Sequence, residues 1–426
     1  MMSLDLTPVR SPVSSANQAS LRQRPILRDV SASRAASCLY RLAAVGSIWV
    51  LMFAASIAAA QDPGPRHWNR QAASALFAYI ESIDRHGLDA EDYAPAELLR
   101  ALESGDPQAI ESRATRSFGL VALDLAIGRV RPGSRGRNYI LSDTLPPNKV
   151  AMLIDLAIAS GNPASVLERL APANSQYASL RDALAALPAD KVSERRQIEV
   201  NLERMRWMPR ALGDRHLMVN IPEYRLRLMA NGREVRSHRV IVGKPQTATT
   251  QFTAEVKAVI LNPSWHVPQS IIAESVGRLV RSTPEVARER GYAWRFDNAA
   301  RLQVTQQPGP NNALGQMKLE MTNPFSIYVH DTPNKDLFDR TERALSHGCI
   351  RTQDPFDLAE TLLSDAGWTR AMIDEGVAAR QTKRVPLASP IPIHIVYLTA
   401  VAEADGSVDY LDDPYSLDAA IAAKLQ

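Results

Sequence analysis

Between His67 and about Arg206, apolar residues recur three and four positions apart in "NRQAASALFAYIESIDRHGL", "AEDYAPAELLRALESG", "AIESRATRSFGLVALDLAIGRV", "KVAMLIDLAIAS", "PASVLERLAPA" and "QYASLRDALAAL". The interruptions fall at Gly, Pro and Asn, and the spacing predicts an all-α region of about six helices. A polar, Pro-containing stretch, "ALPADKVSERRQ", leads into a helix ending "NLERMRWMPRALG". After Gly213 the period shortens to two. "HLMVNIP", "EYRLRLMANGREVRSHRVIVG" and "AEVKAVILNPSW" alternate apolar with polar, and Asn231-Gly232 separates two such runs as a tight hairpin turn does. Helical spacing returns in "PQSIIAESVGRLVRSTPEVARERGY", which interrupts the strands and reads as an insertion over the sheet. The strands "QMKLEMT" and "FSIYVHD" follow the loop "QQPGPNNALG". Asp354 at the cap, Pro355 and Asp357 then signal a helix start. "IPIHIVYLTAVAEADGSVDYL", turning at Asp405-Gly406, closes the domain.

The expected fold is therefore α+β and multidomain. A helical region covers 61–200, a linker helix 201–212, a mostly β domain 213–400 with a helical insertion at about 268–300, and a C-terminal extension 401–426.

The first 60 residues stand apart. They are Ser- and Arg-rich, and after Arg41 they run without charge through "LAAVGSIWVLMFAASIAAA". A run ending in Ala58-Ala59-Ala60 suits a signal peptidase, so 1–60 reads as a signal peptide, with the mature chain starting near Gln61. The alternative is an uncleaved membrane anchor, since the run is just long enough to cross a bilayer. Either way the bulk of the chain is exported. Without the leader's six arginines and two aspartates, 43 basic residues face 44 acidic ones. That balance leaves nothing to drive binding to phosphate backbones, and nucleic acid is not expected as a partner. Of the two cysteines, Cys38 lies in the leader. The exported chain keeps Cys349, which has no intramolecular disulfide partner and is open to oxidation. A lone cysteine in that compartment is a candidate nucleophile.

Reactive side chains concentrate in two places: His330, ending the strand "IYVHD", and the segment "SHGCIRT" from Ser346 to Thr352. A thiol is mostly protonated at neutral pH, so a nucleophilic Cys349 needs an imidazole or a positive dipole beside it. His330 and His347 are the available imidazoles, and thiol plus base implies acyl transfer. Gly348, lacking Cβ, lets backbone N–H groups close around an oxyanion. In extended chain His347 and Cys349 project side by side, whereas a base is better placed facing the sulfur. This favours His330 as general base and leaves His347 to order the turn or the oxyanion donors. Arg351 projects to the same side as Cys349, and either holds a substrate carboxylate in a bidentate pair or braces the loop through a salt bridge. Ser346 reads as a turn residue rather than a second nucleophile.

Two other readings compete. Two histidines and a cysteine can hold zinc, but no carboxylate or second Cys stands at ligand spacing, and a zinc-bound thiolate is a poor nucleophile. A buried cysteine beside unrelated histidines is the other. His67 and His86 read as surface or helix-end residues, and His216, His238 and His394 as structural. His266, in "NPSWHVP", is kept as a residue at the edge of the site.

His330, fifteen residues, then Ser346-His347-Gly348-Cys349-Ile350-Arg351 resembles the motif of the YkuD-type L,D-transpeptidases. "NLERMRW", "VNIPEYRL", "VIVGKPQTATTQF", "NPSWHVPQSI", "PGPNNALG", "NPFSIYVHDTP" and "PIPIHIVYLTA" resemble the larger YcbB-like subgroup, and "YIESIDRHGLDAEDY" and "LAIGRVRP" resemble its N-terminal scaffold region. The resemblance implies a periplasmic enzyme, soluble or anchored to the inner membrane, that works without cofactor or metal. Its donors and acceptors would be peptidoglycan tetrapeptide stems, with other cell-wall enzymes as candidate partners and a monomer as its state. In such an enzyme Cys349 attacks the carbonyl of the third stem residue, expels the terminal D-alanine and passes the acyl group to an amine of another stem, giving a 3→3 cross-link. Hydrolysis of the same acyl-enzyme is the enzymatic alternative, and a non-catalytic envelope scaffold the other. The resemblance assigns the base to His330, the oxyanion hole to the backbone at His347, Gly348 and Cys349, and substrate-facing places to Arg351, Trp265 and Asn312. The insertion matches the subgroup's substrate-capping segment. One departure is visible: about a dozen linker residues stand where the subgroup usually carries a small peptidoglycan-binding module.

Overall fold

Asn69 accepts a hydrogen bond from the Ala72 N–H and so opens the first helix, α1 (Arg70–Ile80). The structure, a computed structural model, describes residues 67–136, 140, 145–403 and 405–425. The leader 1–60, with Cys38 and the expected cleavage site, lies outside them. α2 (Pro95–Ser104) and α3 (Pro107–Ile127) each begin on a proline, whose missing N–H is no loss in a first turn. α4 (Pro147–Ser160), α5 (Pro163–Glu168), α6 (Ser175–Ala186) and α7 (Val192–Arg206) follow, around a core that includes Leu76, Ile80, Phe118, Leu125, Leu180 and Leu202.

α7 runs unbroken across position 200, where sequence periodicity places a boundary, and joins the helical and β regions. On one side its buried Glu203 accepts from the N–H groups of Arg129 (3.1 Å) and Val130 (2.7 Å) and from the Trp207 indole (2.9 Å). Gly128, with φ of 84°, leaves room for this, since a Cβ there would lie 2.6 Å from the Glu203 carboxylate. On the other side Asn201 donates to the Thr399 hydroxyl and accepts from the Thr399 N–H, both at 2.8 Å. His86 ends the 3-10 turn Ile83–His86, as a helix-end residue would, but it is not at the surface: it is fully buried, 3.0 Å from the Tyr177 hydroxyl and 3.1 Å from Glu168. A chain reversal at Gly87 (φ 65°) turns it inward, where polar partners compensate its burial.

The β region opens with β1 (Arg215–Asn220), β2 (Arg225–Ala230), β3 (Arg233–Gly243) and β4 (Phe252–Leu261). An inserted segment holds β5 (Trp265–His266), α8 (Gln269–Ile271), a π-helical turn (Ile272–Val276), α9 (Gly277–Ser282), α10 (Pro284–Glu289), β6 (Tyr292–Phe296) and β7 (Leu302–Gln306). Helical spacing carries through "RERGY" in the sequence, but at Gly291 the chain turns into the β6–β7 hairpin, whose partner strand lies beyond any local window. Then come β8 (Met317–Met321), β9 (Val329–His330), β10 (Ala344–Ser346), β11 (Ile350–Thr352), α11 (Pro355–Leu363), α12 (Arg370–Ala378), β12 (Lys383–Val396), β13 (Ala400–Ala402), β14 (Val408–Tyr410) and α13 (Asp418–Leu425). Asp354 precedes α11 in the left-handed region (φ 48°), and its side chain makes no cap bond.

One sheet runs β10-β3-β11-β9-β8-β4-β12-β1-β2, and β2 also pairs with β3, so its hydrogen bonding closes on itself. Leu217, Val242, Val256, Leu319, Val329, Ile350 and Ile393 fill the inner face. The inserted segment has a core of its own, with Trp265, Ile272, Val276, Val280 and Val304, and Tyr328 packs against both cores. The chain is thus α+β: a helical N-terminal region, then a β-rich domain.

Candidate active site

β9 and β11 lie side by side and parallel, with Ile350 opposite Val329 and Arg351 opposite His330. On its other edge β9 meets β8, with Lys318 opposite His330. Side chains alternate between the faces of a sheet. Leu319, Val329 and Ile350 go to the apolar core, so Lys318, Tyr328, His330 and Arg351 share the opposite face, with Cys349 two positions before Arg351. Cys349 lies one diagonal step from His330 across two adjacent strands.

Hydroxyl groups hold the turn that carries the thiol. Ser346 Oγ accepts from the Gly348 N–H at 3.0 Å and donates to the Cys349 carbonyl at 2.6 Å. Its own carbonyl takes the Lys244 N–H and the Thr247 hydroxyl, each at 3.0 Å. Thr249 accepts from the Gly243 N–H at 2.9 Å and donates to the Gly348 carbonyl at 2.8 Å. Gly348 has φ of 113°, a conformation L side chains rarely adopt. Gly243 is needed for space, because a Cβ there would stand 2.2 Å from the Thr247 carbonyl oxygen. From the C-terminal extension, the Tyr415 hydroxyl donates to the Gly243 carbonyl at 2.6 Å and braces this cradle.

Cys349 Sγ donates to the Ser326 carbonyl at 3.7 Å, while the backbone N–H and hydroxyl of Tyr328 face the sulfur. The Trp265 indole N–H hydrogen-bonds the same Tyr328 hydroxyl, so Trp265 reaches the thiol through a tyrosine. Burial pushes the thiol above its ordinary range, and the Tyr328 donors, Lys318 and Arg351 oppose that rise. His330 is buried, with Nδ1 2.5 Å from the Asp331 carbonyl. Burial, and then the Arg351 charge, push this imidazole down to about 3, so it stays neutral. Hydrogen bonds to the main chain at Asp331 and Leu314 oppose that fall.

Arg351 is held below its ordinary value by burial, and its Nε has no hydrogen-bond partner among the described residues. No ion pair braces it to a described carboxylate, which leaves the guanidinium free for an anionic group. His347 is engaged elsewhere: its Nε2 lies 3.0 Å from Glu274 in the π-helical turn of the inserted segment, and the pair is partly exposed. Asn312 corrects the substrate-facing expectation. It is buried, donates to the carbonyls of Pro263 (3.1 Å), Gln307 (2.9 Å) and Gln306 (3.3 Å), and accepts from the Leu314 N–H (2.8 Å). Its amide is fully used in shaping the loop before β8. His266 is exposed, with Nδ1 3.2 Å from the Thr305 hydroxyl. Among the described residues no cluster of three or more His, Cys, Asp or Glu is arranged to hold a metal ion.

Sequence reasoning passes over four contributors: Tyr328, Lys318, Glu274 and Thr249. Only the strand alternation of "FSIYVH", which sends Tyr328 to the same side as His330, carried a local signal for any of them.

A neutral imidazole, a thiol and two cations thus gather on one face of a β-rich domain that follows a helical region. Residues 214–385 match the family model of the L,D-transpeptidase catalytic domain, YkuD, and residues 61–184 match that of the Scaffold domain. Residues 214–385 are thus similar to a YkuD-type L,D-transpeptidase catalytic domain, and the helical residues before them to a scaffold domain. A Haemophilus influenzae protein provisionally named an L,D-transpeptidase is 32% identical over 272 residues, covering 59% of this chain and 54% of that protein. The chain thus spans about half the length of that relative. An L,D-transpeptidase from Mycobacterium smegmatis shares 15% identity with a TM-score of 0.23, over 43% of this chain and 58% of that one. L,D-transpeptidase 1 of Mycobacterium tuberculosis shares 13% with a TM-score of 0.20, over 43% and 61%. Likenesses this loose bear on no mechanistic point.

Proposed function

We propose that this chain is an exported, periplasmic peptidoglycan L,D-transpeptidase that forms 3→3 cross-links between stem peptides through a Cys349 thioester. The observation that carries the reading is the placement of Cys349, the residue just before β11, one diagonal step from His330 on the parallel neighbour β9, with the imidazole neutral. The resting thiol faces Ser326, and a rotation of its χ1 in the loaded site turns it toward His330.

The His330 imidazole takes the thiol proton as Sγ attacks the carbonyl of the third stem residue. The oxyanion forms against the Cys349 N–H, which has no acceptor among the described residues, whereas the Gly348 N–H is already bound by Ser346. Collapse of the adduct breaks the amide bond, and the leaving D-alanine amine takes the proton from the imidazolium. The acceptor amine then attacks the thioester, gives its proton to His330 and releases the thiol. Arg351 is suited to a stem carboxylate, and Trp265 to orienting Tyr328 beside the sulfur.

Incubation with tetrapeptide stems, followed by mass spectrometry, tests this. Cross-linked dimers with loss of D-alanine, abolished in Cys349→Ala, are expected. Trimmed monomers alone would move the assignment to hydrolysis, and no Cys349-dependent product would overturn it.

A further inference from the structure

Lys318 is a half-buried ammonium without a counter-ion of its own among the described residues. It projects from β8 on the face shared with His330, Cys349 and Arg351, directly opposite His330 in register. Its Nζ stands 3.9 Å from the centre of the Tyr328 ring. The nearest acid along its strand, Glu320, is bound instead by Arg384 at 2.9 Å, and no ion pair joins Lys318 to a described carboxylate. A partly desolvated cation in that state is costly to keep unless something in its surroundings becomes negative. The negative charge that can appear there is the sulfur of Cys349: it attracts Lys318 more than Glu320 does, and Lys318 and Arg351 in turn favour the thiolate.

We propose that Lys318 is a positioning residue that supports negative charge on the Cys349 sulfur from across the Tyr328 ring. The ring sets the distance, its hydroxyl hydrogen-bonds the sulfur and is itself held by the Trp265 indole, and the ammonium lies over its face. Through-space charge thereby reaches the thiol without a direct contact that would occupy the attacking atom. This rests on Cys349 being the nucleophile of the proposed reaction, but it concerns the thiol before any stem peptide arrives.

The test is the rate of alkylation of Cys349 by iodoacetamide between pH 5 and 10, read on the full chain by mass spectrometry of the Cys349 peptide so that Cys38 does not interfere. In Lys318→Met, which keeps the stem over the ring and removes the charge, the midpoint should rise by about one pH unit and the rate at neutral pH should fall roughly tenfold. Lys318→Arg should follow the wild-type profile. If Lys318→Met does not fold, as judged by near-ultraviolet circular dichroism, Lys318→Gln is read in the same way. A profile for the uncharged variant that superimposes on wild type overturns the proposal and leaves Lys318 a packing residue. Because alkylation needs no stem peptide, loss of the cross-linking assignment leaves this result readable, and an unchanged profile leaves the product assay untouched.

Discussion

His330 and Arg351 are register partners across the parallel strands β9 and β11, and their side chains share one face of the sheet. The arginine's charge is the second cause, after burial, of the depressed basicity of the imidazole. A single pairing thus sets the charge state of the imidazole and the position of a cation with no ion-pair partner among the described residues.

Asn312→Ala should act on stability rather than on substrate affinity. Its amide serves four main-chain groups around Pro263, Gln306, Gln307 and Leu314, and truncation leaves several of them buried without partners. A loss of about 2–3 kcal/mol is expected in denaturant titration. An unchanged unfolding midpoint together with a raised KM for stem peptide would restore a substrate-facing role.

Glu274→Gln should separate cap position from fold stability. The His347–Glu274 contact is partly exposed, and such pairs contribute at most about 1 kcal/mol, so the melting temperature should barely move. Amide exchange over 269–289 should nevertheless quicken, because this contact ties the inserted segment to the thiol's turn. Gly277 shows how tight that segment is: a Cβ on it would lie 2.6 Å from the Ile272 carbonyl oxygen. Unchanged exchange in the variant would mean that the segment is held by its apolar core alone.

Acid should destabilise the fold before it titrates the carboxylates. Burial lowers the imidazoles of His86, His216, His238, His330 and His394 below their ordinary value. The unfolded chain binds protons on these rings near pH ~6.5 while the folded chain does not, so their contribution is whole above that pH and is lost as the pH falls below it. Melting temperature should hold near pH 7–8 and decline from about pH 6.5 downward, with a shallower decline in His86→Gln. For the same reason the acylation rate should show no acid limb near pH ~6.5 from His330. A melting temperature that rises on acidification from pH 7 to 5 would contradict this.

The helix and strand regions were legible because each buries one apolar face, and a period of three to four or of two records that face locally. "VIVGKPQT" carried no such record of what it does. Gly243, Thr247 and Thr249 cradle a turn about a hundred residues further along the chain, through main-chain and hydroxyl contacts that hydropathy does not register. His86 and Asn312 misled for a related reason. A polar residue reads as exposed or functional in sequence, and only the assembled fold shows the partners that let it be buried. The C-terminal extension looked like an appendage, yet Tyr415 supports Gly243, and Asp418 accepts from Arg204 at 2.5 Å.

Sequence alone was enough to determine the order of helical and β regions and to single out Cys349 and His330 as the candidate pair, because reactive side chains are scarce and their types limit the chemistry. Tertiary structure decided what surrounds that pair. The parallel register of β9 and β11 sets the imidazole and the guanidinium side by side. β8 adds Lys318, and the inserted segment brings Trp265 onto Tyr328 and Glu274 onto His347. Each of these depends on pairing between distant segments and on burial that changes a group's charge, and a linear pattern encodes neither.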